Sequence, residues 1–108
     1  MHNPFVPETH EGWSVLHLMY RVRWDRVRGL TPAEQTSLAD EARQALAVTG
    51  GSGATAFVHM LGHKADLMVI AFRRTFADLA QAQLNLSRAR LHDYLEVTTS
   101  YVSVVELG

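Results

Sequence analysis

The sequence predicts an α+β fold in which two helices cover one face of a four-stranded antiparallel sheet and leave the other face bare. Two observations carry that expectation. Strand-like and helical stretches follow one another in the order βαββαβ, and right-handed crossovers then put both helices on the same side. The strands are also apolar on both sides. In the first, Val15 and Met19 point one way and Leu16, Leu18 and Val22 the other; in the third, Leu67 and Val69 oppose Met68, Ile70 and Phe72. Side chains alternate across a strand, so both faces of this sheet avoid water. A half-exposed antiparallel sheet would place polar residues at every second position.

The elements follow in chain order. Residues 1–12 hold Pro4, Pro7 and Gly12 among polar residues and read as an N-terminal arm. The first strand is Trp13–Val22, and Trp24–Leu30 forms a connector with room for a helical turn. In Thr31-Pro32-Ala33-Glu34, the threonine can cap a helix, the proline suits its first position, and the glutamate can close a capping box. Leu38, Ala42, Ala45 and Leu46 recur at helical spacing as its buried stripe, and Gly50-Gly51 ends it. Strands at Ala54–Leu61 and Asp66–Phe72 flank Gly62-His63-Lys64, close enough for a hairpin. Thr75 caps a second helix, with Asp78 in the corresponding box position and Phe76, Leu79, Ala82 and Leu86 facing inward. That helix ends before Tyr94, and Val97–Leu107 is the last strand. Residues 13–108 thus read as one ferredoxin-like domain.

Composition bounds the function. At 108 residues the chain can build one core. A hydrophobic content of 47% with 19% charged residues excludes a disordered tail. A net charge of −1 gives no reason to expect nucleic acid as partner, and no apolar run approaches membrane-spanning length. The absence of cysteine excludes disulfides, thiolate metal sites and a cysteine nucleophile. Met1-His2-Asn3-Pro4 opens no basic region followed by an apolar core, so the expected location is the cytoplasm.

Candidate chemistry is sparse. Gly50-Gly51-Ser52-Gly53 follows a helix and precedes a strand, and no phosphate-loop lysine trails it. Dinucleotide fingerprints need the reverse order, and Ala54 stands where a nucleophile elbow needs its last glycine. A flexible helix stop is the simpler reading. His59 and His63 straddle a strand and a turn rather than sharing a helical face, and no carboxylate cluster joins them or His17. Arg21, Arg23, Arg26 and Arg28 surround Trp24, a combination that suits stacked bases and phosphates. Asp25 interrupts this patch, however, and the third strand lacks the exposed aromatics of RNA-recognition sheets. Tyr101, Ser103, His17 and Arg21 can share the bare face. Polar groups among apolar ones suit a ligand cavity or a buried sheet-to-sheet interface equally.

Two segments go beyond fold class. Gly62-His63-Lys64-Ala65-Asp66-Leu67-Met68 resembles the hairpin turn of chlorite dismutase-like haem proteins. Tyr94-Leu95 with Ser100-Tyr101-Val102-Ser103-Val104-Val105-Glu106-Leu107 resembles the strand that closes the first half of those proteins. Trp13 to Leu30, with Leu16-His17 and Trp24, is similar to their opening strand and connector, and the nearer branch is the coproheme decarboxylases. The resemblance implies two ferredoxin-like halves packed sheet to sheet into a barrel, commonly in homo-oligomeric rings. It implies peroxide-driven decarboxylation of two porphyrin propionates to vinyls in the whole protein. The second half of such proteins supplies the iron-binding histidine, the catalytic tyrosine and the propionate-binding residues.

None of those second-half motifs occurs in this chain. The resemblance therefore assigns no catalytic, cofactor-binding or metal-ligating residue here, and haem or coproheme is expected only in the full-length family. The expected partner is a second ferredoxin-like half, or a second copy of the chain, on the bare face. The alternative is a free-standing dimeric α/β barrel that binds a small hydrophobic ligand or acts as a monooxygenase. A structural or regulatory partner docking on another chain is a third reading.

Overall fold

The computed structural model describes residues 13–47, 53–62 and 65–105. The elements are β1 (Trp13–Val22), α1 (Trp24–Val27), α2 (Pro32–Ala45), β2 (Gly53–His59), β3 (Leu67–Arg73), α3 (Phe76–Arg88), a 3₁₀ turn (Arg90–Tyr94) and β4 (Leu95–Val105). The sheet order is β2-β3-β1-β4, every pair antiparallel. This is the expected ferredoxin-like arrangement, with α1 as the helical turn of the first connector. The arm at residues 1–12, Gly50-Gly51, His63 and Lys64 lie outside the described residues.

Both helices start where their caps place them. Thr31 Oγ1 accepts from Glu34 N at 3.1 Å and Glu34 Oε1 accepts from Thr31 N at 2.8 Å, a complete capping box. These bonds hold the Glu34 carboxyl below its usual range. Thr75 Oγ1 accepts from Asp78 N at 3.1 Å, which satisfies one free donor of α3. Ala42 of α2, its C-cap Leu46, and Leu79, Ala82 and Leu86 of α3 pack on Leu16, Leu18, Tyr20, Val69 and Ala71, and Leu38 of α2 is buried beside them. One layer of helices on one sheet face makes the core.

Several details differ from the sequence reading. The first long helix stops at Ala45, well before Gly50. Its last turn is closed by Leu46 N donating to Ala42 O and by the Arg73 side chain, which takes the Leu46 carbonyl. The second strand begins at Gly53 and ends at His59, two residues before Leu61, and the third runs Leu67–Arg73, one residue later at each end than Asp66–Phe72. Phe76 is 61% exposed rather than inward-facing, and borders an open groove with Leu16 and Val102 instead of entering the core. The last strand starts at Leu95 and carries one extra residue. Met19 pairs with Thr99 but Tyr20 pairs with Val97, which leaves Thr98 as a bulge whose Oγ1 donates to Met19 O at 3.3 Å. The bulge switches which alternate residues of β4 face the helices.

The hairpin motif works as a structural stitch. Asp66 N donates to Tyr20 O at 2.8 Å, Asp66 O accepts from Met60 N at 3.0 Å, and Asp66 Oδ2 accepts from Val22 N at 2.9 Å. One residue thereby ties the ends of β1, β2 and β3. Ala65 beside it is buried, and Gly62 turns the chain with φ of 99°, a conformation that favours glycine.

Candidate functional site

Pairing register assigns the residues of the uncovered face. Val15, His17 and Met19 of β1 lie opposite Phe72, Ile70 and Met68 of β3, and those lie opposite Ala54, Ala56 and Val58 of β2. On the other side of β1, the same three residues meet Ser103, Tyr101 and Thr99 of β4. The face is therefore apolar over β2, β3 and β1 and edged with hydroxyls along β4. Val15 and Met19 are buried even without a covering layer, because side chains from both flanking strands close over the central one. Met68, Ile70 and Phe72 are half-buried. The sheet has a second surface that water should avoid, as the sequence predicts.

His17 and Tyr101 meet at its middle. Their rings stack at 4.2 Å between centroids, 13° from parallel. His17 Nδ1 is buried and has no hydrogen-bond partner. Tyr101 is 47% exposed. Ser103 lies on the same face opposite Val15, and Arg21 lies at the far end of β1 opposite Glu96. At the other end, the Arg74 guanidinium sits 4.6 Å over the Trp13 ring.

The remaining sequence candidates are dispersed. His59 closes β2 opposite Leu67, on the helix side of the sheet. His92, in the 3₁₀ turn, stands edge-on to Tyr20 at 5.8 Å. Within the arginine stretch, Arg26 Nη1 donates to Asp93 O at 2.9 Å and fastens α1 to the 3₁₀ turn. No group of three or more His, Asp or Glu able to hold a metal occurs among the described residues. No helix among them is long and apolar enough to cross a membrane.

Two features escaped the sequence reading. A groove of about 340 Å³ runs between α3 and β4 on the helix side, lined by Leu16, Phe76, Leu79, Ala80, Gln83 and Val102. Val102 and Val104 are half-exposed there, because neither helix reaches over β4. Their alternation was a legible signal, but only the bulge tells which side it favours. Arg73 is the second. It is 6% exposed, and burial pulls its guanidinium pKa down while Asp78 opposes the shift. Nη1 donates to Ala54 O at 2.7 Å and Phe72 O at 3.0 Å; Nη2 donates to Leu46 O at 3.2 Å and Thr55 Oγ1 at 3.1 Å. These contacts go to β2, β3 and the C-cap of α2, so Arg73 is a clamp within the chain rather than a ligand site. A Cβ at Gly53 would lie 2.3 Å from Phe72 O and 2.9 Å from Arg73 Cδ. Close approach, rather than flexibility, requires that glycine.

Fold and face together define a ferredoxin-like module with one sheet surface unpartnered. The family model described as chlorite dismutase matches residues 35–108, and the chain belongs to that family. It is 36% identical to the coproheme decarboxylase of Staphylococcus saprophyticus over 110 residues, which cover 97% of this chain and 44% of that protein. The solved structure of a haem-binding protein from Thermus thermophilus superposes with a TM-score of 0.73 at 32% identity, covering 91% of this chain and 42% of that one. A mutant chlorite dismutase from Candidatus Nitrospira defluvii shares the fold at a TM-score of 0.78 and 18% identity, covering 92% and 42%. The chain spans less than half the length of the relatives it matches.

Proposed function

We propose that this chain is the N-terminal half of a coproheme-decarboxylase-like protein and acts there as a scaffold. Its open sheet face packs against a second ferredoxin-like sheet to close a barrel. The observation that carries the reading is the doubly apolar sheet in a chain that spans 44% of a coproheme decarboxylase. Stacked sheets lie about 10 Å apart with interdigitated side chains, and the half-buried Met68, Ile70 and Phe72 suit such a layer.

The described residues do not fit a haem ligand set. The His17 ring is covered by Tyr101, and one of its nitrogens is sealed against the sheet. His92 stands edge-on against Tyr20. In this reading the second half holds coproheme, and the bound porphyrin with peroxide supplies the decarboxylation chemistry. This half supplies barrel closure and contacts between subunits of a homo-oligomer, and the whole protein works in the cytoplasm.

Titration of the chain with ferric porphyrin, followed by its visible absorption band, tests the assignment alongside sedimentation. The expected result is no histidine-ligated spectrum from the chain alone. A compact dimer that binds porphyrin stoichiometrically, and loses it when His17 or His92 is replaced, would refute the scaffold reading in favour of a free-standing haem protein.

A further inference from the structure

The open face carries a polar group at its centre that packing within this chain does not explain. β1 is an inner strand, with β3 on one side and β4 on the other, so His17 sits mid-face, whereas Thr99, Tyr101 and Ser103 lie along the edge strand. Its neighbours on β1 are the buried Val15 and Met19, and Ile70 lies opposite on β3. Tyr101 is the titratable group that faces it. Stacking on Tyr101 fixes the plane of the imidazole.

The orphaned nitrogen determines where the proton goes. A neutral imidazole has one donor nitrogen and one acceptor nitrogen. Buried N–H groups without an acceptor are rarer than under-used acceptors, and His17 Nδ1 is buried without a partner. The proton therefore belongs on Nε2, at the end of the ring away from the backbone. Once a second sheet covers the face, that N–H lies inside a dry layer and must be answered.

We propose that His17 is a specificity contact of this face: a neutral imidazole, held flat by Tyr101, whose Nε2–H donates to an oxygen acceptor carried by the covering sheet. The inference rests on the half-barrel reading above. It states what chemistry the second half must present at that place, an acceptor among apolar side chains rather than a further donor or a cation.

Two measurements test it and fail separately. In the isolated chain, ring ¹⁵N shifts at neutral pH show the Nε2–H tautomer, and an Nδ1–H tautomer or a doubly protonated ring overturns the proposal. The docked state uses a chimera in which this chain replaces the matching 44% of the S. saprophyticus coproheme decarboxylase. His17→Phe keeps an aromatic plate but removes the donor, and His17→Gln can keep an N–H. In the chimera His17→Phe lowers the unfolding midpoint by about 3–6 °C and His17→Gln by less. In the isolated chain His17→Phe does not lower it, because the orphan nitrogen disappears. Equal midpoints for the wild-type and His17→Phe chimeras overturn the contact alone. A wild-type chimera that cannot assemble overturns the half-barrel reading, and the contact with it.

Discussion

Alkaline unfolding gives the sharpest test of the helix-side core. Tyr20 is 2% exposed, its ring packed among Leu16, Leu18, Val69 and Leu95, and burial pushes its phenol up from 10.0 to about 12. A raised pKa means that the fold prefers the neutral phenol. Stability from this source is fully present below pH 10 and is lost as pH climbs from about 10 to about 12. Two units at about 1.4 kcal/mol each amount to roughly 3 kcal/mol, a large share of the ~5–15 kcal/mol expected for a domain of this size. Tyr20→Phe keeps the ring and its edge contact with His92 but removes the titrating group. Urea unfolding at pH 8, 10, 11 and 12 should show wild type losing about 2 kcal/mol more than Tyr20→Phe between pH 10 and pH 12, with the remainder of the loss outside that range. Absorbance at the tyrosinate band should report one phenol that ionises near pH 12 while the protein is folded and near pH 10 once it unfolds. If both proteins lose stability in parallel above pH 10, the buried-phenol argument is wrong.

Three further outcomes follow from local geometry, each read by urea unfolding. Arg73→Met strips hydrogen bonds from Leu46 O, Ala54 O and Thr55 Oγ1, and should cost about 3 kcal/mol while loosening the junction of α2 and β2. A cost under 1 kcal/mol would show that water replaces the guanidinium freely. Asp66→Ala leaves Val22 N without its acceptor and should cost about 1–2 kcal/mol, with faster amide exchange at Val22 as the local signature. Gly53→Ala drives a methyl against the Phe72 carbonyl and should cost about 1–3 kcal/mol, with weakened protection at the start of the β2–β3 pairing and little change near His59.

The fold was legible where a residue's neighbours in sequence decide its environment. β1 runs from Trp13 to Val22 as read, because a run rich in β-branched, aromatic and other apolar residues, preceded by Gly12, has its strand character written locally. Thr31 and Thr75 marked the helix starts, because a cap needs only the donor three residues on. Legibility ended where a distant group intervenes. Phe76 has the right helical spacing, but spacing does not reveal that an open groove separates that turn from β4. The end of α2 depends on Arg73, 27 residues beyond the Leu46 carbonyl it holds. The bulge at Thr98 has no signature of its own in sequence; it exists because of what Met19 and Tyr20 pair with. Of the candidate site, the sequence suggested that His17, Arg21, Tyr101 and Ser103 share a face, but the ring stack and the sealed nitrogen depend on the pairing of β1 with β4, 84 residues apart at His17 and Tyr101.

The bulge also explains why the two faces of the sheet ask for different partners. Leu95 and Val97 face the helices before it, and Val102 and Val104 face the same way after it. Without the extra residue, alternation would have turned those valines toward the open face and the hydroxyls of Thr99, Tyr101 and Ser103 toward the helices. β4 therefore differs from β1 and β3, which are apolar on both faces: Thr99, Tyr101 and Ser103 put hydroxyls on the open face, while Leu95, Val97, Val102 and Val104, with Ser100 among them, face the helix side. A covering sheet meets a continuous apolar field over β2, β3 and β1, and then a hydrophilic border. It has most to gain by centring on β3 and β1, which places it directly over His17. Among the described residues of that field His17 is the one imidazole, and on the half-barrel reading it becomes a register mark, because a slip by one strand would carry its donor away from the acceptor proposed for it.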